Sequence, residues 1–372
     1  MKITLPKIEK IIIEPTSRCN LQCTTCMRNT WDEPQGDMSM DTFNLLMRGI
    51  TYARPKKISF WGIGEPLMNP RIVEMVRKAS ALGASTELIT NGALLGSETA
   101  GGLIDAGLET LIVSLDGVSA ETHESVRPGI NARKVYDNIA GLRELRHKKG
   151  GSNPVIGVEF VAMRSNLSHL PELPDLAMEV GAEFIIVTNV LPYSAEMKDE
   201  ILCWITSSYI HYPIKKKSLS GIYLPPIDNN PENIEHLAVR NARPWGEMEL
   251  NVPRTGLAGY CPFVNSGTLA VTWDGKMSPC VPLMHTHSCF ILGREKQVRR
   301  HIIGDVKRDK IKSVWEGREH RSFQRRVLDF MFPPCLDCGG CEMVESNDTD
   351  CFANPRPTCG DCLWSRGIII CP

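Results

Sequence analysis

Six short apolar runs separated by helical patterns dictate the fold class of this chain. They are KIIIEP (Lys10 to Pro15), KKISFW (Lys56 to Trp61), STELIT (Ser85 to Thr90), TLIVSL (Thr110 to Leu115), VIGVEFVAM (Val155 to Met163) and EFIIVT (Glu183 to Thr188). Each is short, apolar and rich in Ile and Val, the pattern of strands covered on both faces. Between them apolar residues recur at helical spacing. In NPRIVEMVRKASALG, Ile72, Val73, Met75, Val76 and Ala79 share one face. Pro70 suits a first turn and Gly83 follows the last. NARKVYDNIAGLRELR and LPELPDLAMEVG behave alike. Six strand–helix units make a parallel α/β layer. A closed eight-unit barrel takes about 250 residues. Six units within residues 1–192 therefore predict an open, six-unit (βα)6 partial TIM barrel.

Residues 193–260 break the alternation. They are rich in Pro and polar residues, carry a basic run from Lys215 to Lys217, and read as a linker or insert. Residues 261–372 form a small cysteine-rich domain. Of 14 cysteines in the chain, three lie near the start, Cys203 stands alone, and ten fall between Cys261 and Cys371. The first residues lack a signal-peptide apolar region followed by a cleavage site, and no run of 18 apolar residues would span a membrane. A cytoplasmic location is expected, where clustered thiols favour metal over disulfides. The net charge of −1 provides no broad basic field for nucleic acid.

The segment EPTSRCNLQCTTCMRN places Cys19, Cys23 and Cys26 in the loop after the first strand. A closed zinc site takes four ligands, and an ordinary iron–sulfur cluster takes four cysteines. Three thiolates leave one metal position open for chemistry. The other strand ends carry WGIGEP (Trp61 to Pro66), TNG (Thr90 to Gly92), SLDG (Ser114 to Gly117), MRSN (Met163 to Asn166) and NVLPY (Asn189 to Tyr193). Any one of these is an acceptable turn. Together they line one rim, the end of a parallel barrel where active sites lie.

The Cys19-x3-Cys23-x2-Cys26 loop resembles the signature of the radical S-adenosylmethionine (SAM) superfamily, over residues 8 to 192. That resemblance implies three thiolates holding a [4Fe–4S] cluster whose fourth iron is chelated by SAM. An electron from the cluster then cleaves SAM, and the resulting 5′-deoxyadenosyl radical abstracts hydrogen from substrate. GIGEP is similar to the family's glycine-rich turn, with Ile63 in place of one glycine. By this likeness Gly62 and Gly64 let backbone carbonyls approach the SAM ammonium, and Glu65 adds a negative partner. Asn91 joins them from the third strand end. Ser114 resembles a residue that reaches the ribose or carboxylate, and Arg127 one that pairs with the carboxylate. Asn189 to Leu191 occupy the place from which the family reads the adenine. Thr25 departs from the family, which often has an aromatic there, so another residue must supply that contact.

CPFVNSGTLAVTWDGKMSPC, from Cys261 to Cys280, reads as containing a hairpin with Asp274-Gly275 at its turn. It resembles the start of the SPASM domain, which carries auxiliary [4Fe–4S] clusters. Cys335, Cys338, Cys341, Cys351, Cys359, Cys362 and Cys371 complete nine candidate ligands, and two clusters need eight. Order along the chain gives Cys261 and Cys280 to the cluster nearer the barrel, and Cys335, Cys338 and Cys341 to the distal one. Zinc is the alternative for the close pairs. Cys203 and Cys289 read as plain buried thiols, and His285 and His287 as structural residues or residues facing substrate. The tail and NVLPYSAEMKDEIL look similar to the maturases encoded with tungsten-pterin aldehyde oxidoreductases. The resemblance implies an anaerobic maturase acting on a peptide or protein side chain, or on the cofactor of a partner oxidoreductase. Its electrons would come from a donor such as ferredoxin or flavodoxin. A non-catalytic iron–sulfur electron carrier is the rival of another class, but a carrier has no need of GIGEP and SLDG.

Overall fold

The computed structural model describes residues 5–202, 222–223, 260–336 and 341–371; Cys203, Cys338 and the 215–217 basic run lie outside them. The six apolar runs form β1 (Lys10–Ile13), β2 (Lys57–Phe60), β3 (Ser85–Thr90), β4 (Thr110–Ser114), β5 (Val155–Ala162) and β6 (Phe184–Asn189). Each begins at, or one residue after, its expected start. Helices α1 (Met40–Ile50), α2 (Ile72–Ser80), α3 (Ser97–Asp105), α4 (Ala120–Val126), α5 (Ala132–Lys148) and α6 (Leu173–Val180) connect them. The strands pair in parallel in chain order, with Ile11 opposite Ile58, Leu88 opposite Leu111, and Val158 opposite Ile185. Sequential order with helical crossovers is the wall of a partial barrel.

Alternation along the strands sorts the residues. Ile11, Ile13, Ile58, Phe60, Leu88, Leu111 and Val113 face outward and join Phe43, Leu46, Ile50, Met75 and Val76 of the helices in one core. Each such side chain contributes about 1.5–3 kcal/mol when fully buried. The inner face is less apolar than a strand covered on both faces leads one to expect. Ile89, Ile112, Phe184 and Ile186 pack there, but Ser59, Glu87, Ser114 and Glu159 occupy the intervening inward positions. Glu87 is buried, paired with Lys57, and accepts a hydrogen bond from Ser59 Oγ at 2.8 Å.

The C-terminal segment contains α7 (Pro262–Asn265), β8 (Thr268–Val271), β9 (Lys276–Ser278), β10 (His287–Ile291), β11 (Arg294–Val298), β12 (Gly304–Asp305), α8 (Ile311–Trp315) and α9 (Arg318–Leu328). A two-residue strand, β7 (Ile222–Tyr223), precedes it. The expected hairpin is β8–β9, its turn closed by Gly275 N–H to the Thr272 carbonyl at 2.9 Å. It does not stand apart from the barrel. β8 runs parallel to β1, Ile11 opposite Leu269, so the sheet continues as β12-β9-β8-β1-β2-β3-β4-β5-β6-β7. Trp315 Nε1 donates to the Pro6 carbonyl at 3.1 Å, and Ile311 and Trp315 complete the barrel's own core. Among the described residues no helix is long and apolar enough to cross a membrane.

Candidate functional site

The loop after β1 is fastened on both sides. Ser17 N–H donates to the Gly36 carbonyl at 3.0 Å, and Thr16 Oγ1 and Arg18 Nε hold Asp37 at 2.7 and 3.0 Å. Thr24 N–H reaches the Val126 carbonyl at 3.0 Å, and Asn29 Nδ2 the Cys23 carbonyl at 3.0 Å. Cys26 closes a short turn, its N–H donating to the Cys23 carbonyl at 3.2 Å and its Sγ accepting Arg28 N–H at 3.4 Å. Cys19, Cys23 and Cys26 thereby line one cavity of about 300 Å³ at the C-terminal ends of the strands. Gly62, Gly64, Glu65, Asn91, Ser114 and Arg127 line it too, so every strand end from β1 to β4 contributes. Trp61 and Tyr193 are aromatic residues on its wall.

Three of the expected contact residues also do structural work. A Cβ at Gly64 would lie within 2.5 Å of the Arg18 carbonyl oxygen and closer still to that of Thr16. At Gly62 it would come within 2.6 Å of Glu14 Cγ. These glycines let the GIGEP turn lie directly on the cysteine loop, which is the close approach that excludes a side chain. Glu65 lines the cavity and also shares its buried carboxylate inside the protein. Oε1 accepts Thr90 Oγ1 at 2.7 Å and Leu67 N–H at 3.0 Å; Oε2 accepts Asn91 N–H at 2.8 Å. It braces β2 against the end of β3. Burial raises its pKa, and those hydrogen bonds work the other way. Asn91 Nδ2 then donates to Asn20 Oδ1 at 2.9 Å and sits 3.9 Å from Cys19 Sγ.

Arg127 is buried rather than a solvated surface group. Its Nε donates to Asp116 Oδ2 at 2.7 Å, and Asp116 is fully buried. Burial alone would weaken the arginine's charge, but Asp116 holds it on. Asp116 Oδ1 accepts Val161 N–H at 3.1 Å, so this pair anchors the SLDG turn to β5. Asp116 was missed as an ordinary turn residue, although an acid in a rim motif beside a needed arginine was the available signal. Glu159, also missed, faces the cavity and accepts from Ser114 Oγ at 3.3 Å. Burial, then Asp116, raises its pKa to about 7. Its signal was a lone acid inside an apolar run.

Asn189 and Leu191 are not among the described residues that line this cavity. Asn189 Nδ2 donates to the Ile368 carbonyl at 3.0 Å. Leu191 packs with Leu283, Leu336 and Leu363. The end of β6 is occupied by the C-terminal tail, which sequence order could not place there. That same tail brings Cys371 onto the cavity wall, where its Sγ accepts Trp364 Nε1 at 2.9 Å. Cys371 was grouped with the auxiliary ligands by its position in the chain; here it stands beside the first loop's cavity.

Four of the other cysteines, Cys261, Cys280, Cys359 and Cys362, come together: burial pushes each thiol up, and the charge of Cys362 raises the other three further. Cys280, Cys359 and Cys362 line one cavity with Cys289 and Leu191. Cys335 lines a different cavity, and Cys341 and Cys351 are exposed. Lys296 and Asp361, buried and paired at 2.6 Å, line both cavities and so form the wall between them. His285 and His287 do not line the first loop's cavity. His285 lies between Glu14 and Glu33, and His287 Nδ1 faces the His285 carbonyl at 3.1 Å.

The donor sets fit iron–sulfur clusters. Burial pushes Cys23 up to about 11, with Cys26 and Cys19 adding repulsion, and Cys26 is raised for similar reasons. Buried thiols crowded together resist ionising unless a cationic group joins them. No three His, Cys, Asp or Glu side chains among the described residues converge closely enough for a single ion. A cuboidal cluster spreads its thiolates wider, one to each iron. If the four-thiol set holds a cluster, the Cys359→Ala/Cys362→Ala variant should lose about four irons of the twelve that three clusters carry. It should keep the first loop's share, as counted by iron analysis of anaerobically reconstituted protein.

Comparison with known proteins bears on both regions. The family profile described as the radical SAM superfamily matches residues 13–161, and that of the SPASM iron–sulfur cluster-binding domain matches residues 261–342. Over 97% of its length the chain is 31% identical to the tungsten-containing aldehyde ferredoxin oxidoreductase cofactor-modifying protein of Pyrococcus furiosus, covering 96% of that protein. Among solved structures, Streptococcus suis SuiB bound to precursor peptide SuiA superposes with a TM-score of 0.59 at 12% identity, over 93% of this chain and 72% of that one. Native anSMEcpe with bound AdoMet gives 0.54 at 16% identity, over 96% of this chain and 95% of that one. At such identities the likeness is one of fold.

Proposed function

The chain belongs to the radical SAM superfamily and carries a SPASM domain, and from that premise we propose that it matures the metal–pterin cofactor of a partner aldehyde oxidoreductase. It is a radical SAM enzyme, and its cofactors are [4Fe–4S] clusters and SAM. The observation that carries the choice of substrate is likeness to a cofactor-modifying protein along nearly the whole of both chains. Hydrogen abstraction from a peptide or protein side chain is the second reading. It is favoured by SuiB, which shares this architecture and holds a precursor peptide.

When bound, the first cluster and SAM together supply the 5′-deoxyadenosyl radical that takes hydrogen from substrate. The chain's own residues hold and enclose that chemistry. Cys19, Cys23 and Cys26 would be the cluster's ligands. Arg127, kept charged by Asp116, offers its remaining guanidinium face to the SAM carboxylate. Ser114 and Glu159 offer hydrogen-bonding partners to the ribose side of the cavity. Trp61 and Tyr193 provide the aromatic surface that Thr25 does not. The Trp364–Cys371 tail covers the end of β6 and adds Cys371 to the cavity wall. Cys261, Cys280, Cys359 and Cys362 would hold one auxiliary cluster, and Cys335, Cys338, Cys341 and Cys351 the other.

The electron donor is an acidic one-electron carrier such as ferredoxin or flavodoxin, and the setting is cytoplasmic and anaerobic. Residues 294–326 contain twelve Lys and Arg against five Asp and Glu. Lys307, Arg308, Lys310, Lys312, Arg318 and Arg321 among them are exposed. A basic face on the domain whose Cys341 and Cys351 reach the surface suits such a donor.

The deciding experiment incubates reduced holoenzyme and SAM under argon with the unmatured partner oxidoreductase, and separately with candidate peptides. 5′-Deoxyadenosine formation coupled to a mass change in the pterin cofactor supports the reading. A mass change in a peptide alone moves the assignment to the second reading. The absence of SAM cleavage in both overturns the two together.

A further inference from the structure

Glu14 directly follows β1 and is fully buried, and His285 of the C-terminal segment is buried against it. His285 Nε2 lies 3.0 and 3.2 Å from the two Glu14 oxygens, and Nδ1 lies 2.9 Å from Glu33 Oε2. Both ring nitrogens thus face carboxylate oxygens. A neutral imidazole has a single N–H and would turn a lone pair toward one of them. Two carboxylate partners call for two N–H donors, which the imidazolium form supplies.

Each carboxylate also grips backbone from a different segment. Glu14 Oε1 accepts Ile63 N–H of the GIGEP turn at 3.1 Å, and Oε2 accepts Trp273 N–H of the β8–β9 turn at 3.3 Å. Glu33, just beyond the cysteine loop, accepts Thr286 N–H at 3.0 Å, and the Arg300 guanidinium lies 3.4 Å from it. The Trp31 ring meets the imidazole edge-on at 4.2 Å. The remaining titratable neighbour is His287, which burial holds near pKa 4 and therefore neutral.

Resting on the reading that the adjoining cavity takes SAM, we propose that His285 is a positioning residue whose imidazolium, clamped between Glu14 and Glu33, sets the GIGEP turn and the cysteine loop for SAM. The C-terminal segment thereby completes a pocket built by the barrel. Burial opposes the charge on His285, but Glu14 and then Glu33 outweigh it and raise the ring to about 9. The sign follows: a raised pKa gives a stabilisation fully present below the unbound value near 6.5 and lost as pH climbs through about 9.

The test uses holoenzyme reduced with dithionite, with KM for SAM and kcat followed from pH 6 to 10. In the wild type KM should hold to about pH 8 and rise about tenfold per unit beyond the ring's ionisation. Glu33→Gln removes one carboxylate and should move that alkaline limb to lower pH by about one unit. His285→Gln should raise KM about tenfold at pH 7, abolish the alkaline limb and leave iron content unchanged. An unmoved limb in Glu33→Gln overturns the proposal, even if His285→Gln fails to fold. Independently of SAM chemistry, ¹³C NMR of the histidine rings in oxidised holoenzyme should show one ring, absent from His285→Gln, that stays charged to about pH 9. A midpoint near 6.5 for that ring removes the clamp whether or not SAM is cleaved.

Discussion

Cys23→Ala should form no 5′-deoxyadenosine above background while the C-terminal segment keeps its iron. With two of three protein thiolates, the first loop cannot hold a cluster that SAM must complete. Iron should therefore fall by about four per chain, with the remaining clusters intact. The geometry makes this variant a clean one. Cys23 lies on a loop fastened by backbone bonds to Val126 and by the Asp37 contacts of Thr16 and Arg18, none of which uses its side chain. Circular dichroism should match the wild type. SAM cleavage at the normal rate by this variant would sink the assignment of the loop.

Gly64→Ala should be nearly as damaging, for a reason that is steric rather than chemical. The added carbon would meet the carbonyl oxygens of Thr16 and Arg18, both backbone, so no side chain can swing aside. Relieving the overlap means prising the turn from the cysteine loop, a cost of about 3 kcal/mol or more. Glu65 N–H would lose its bond to the Arg18 carbonyl, now 2.8 Å. Iron at the first loop and SAM cleavage should fall together. Gly96→Ala is the control: a Cβ there meets nothing within 4 Å, and the change should stay within about 0.5 kcal/mol. Equal activity in both variants would show that the turn is looser than the packing implies.

The barrel was legible because its strands are continuous apolar runs and its helices carry regular apolar stripes. Both patterns depend on neighbours a few residues away. Cys19, Cys23 and Cys26 were legible for the same reason, since the information is their spacing. What was hidden depends on distant pairing. Nothing near Glu14 announces that His285 covers it, and nothing in the tail announces that Ile368 meets Asn189 or that Cys371 reaches the first cavity. Arg127 was named by resemblance alone, and its pairing with Asp116 emerges only from the fold. Glu65 and the two glycines stand at the rim as their motif implies, but their packing against the cysteine loop and the end of β3 comes from distant segments and could not be read locally.

The parallel pairing of β8 with β1 has a consequence for how the molecule is made. Ile11 meets Leu269, so one edge of the first strand has no partner until the chain has grown past residue 271. At about 5–20 residues per second, the intervening stretch occupies the ribosome for roughly 13–50 s. For that interval the nascent barrel carries an open edge next to its cysteine loop, a template for wrong pairing. Replacing Leu269 by Pro, which removes a ladder donor, should leave chains that stall at this stage and appear as aggregates rather than as a folded barrel lacking its tail.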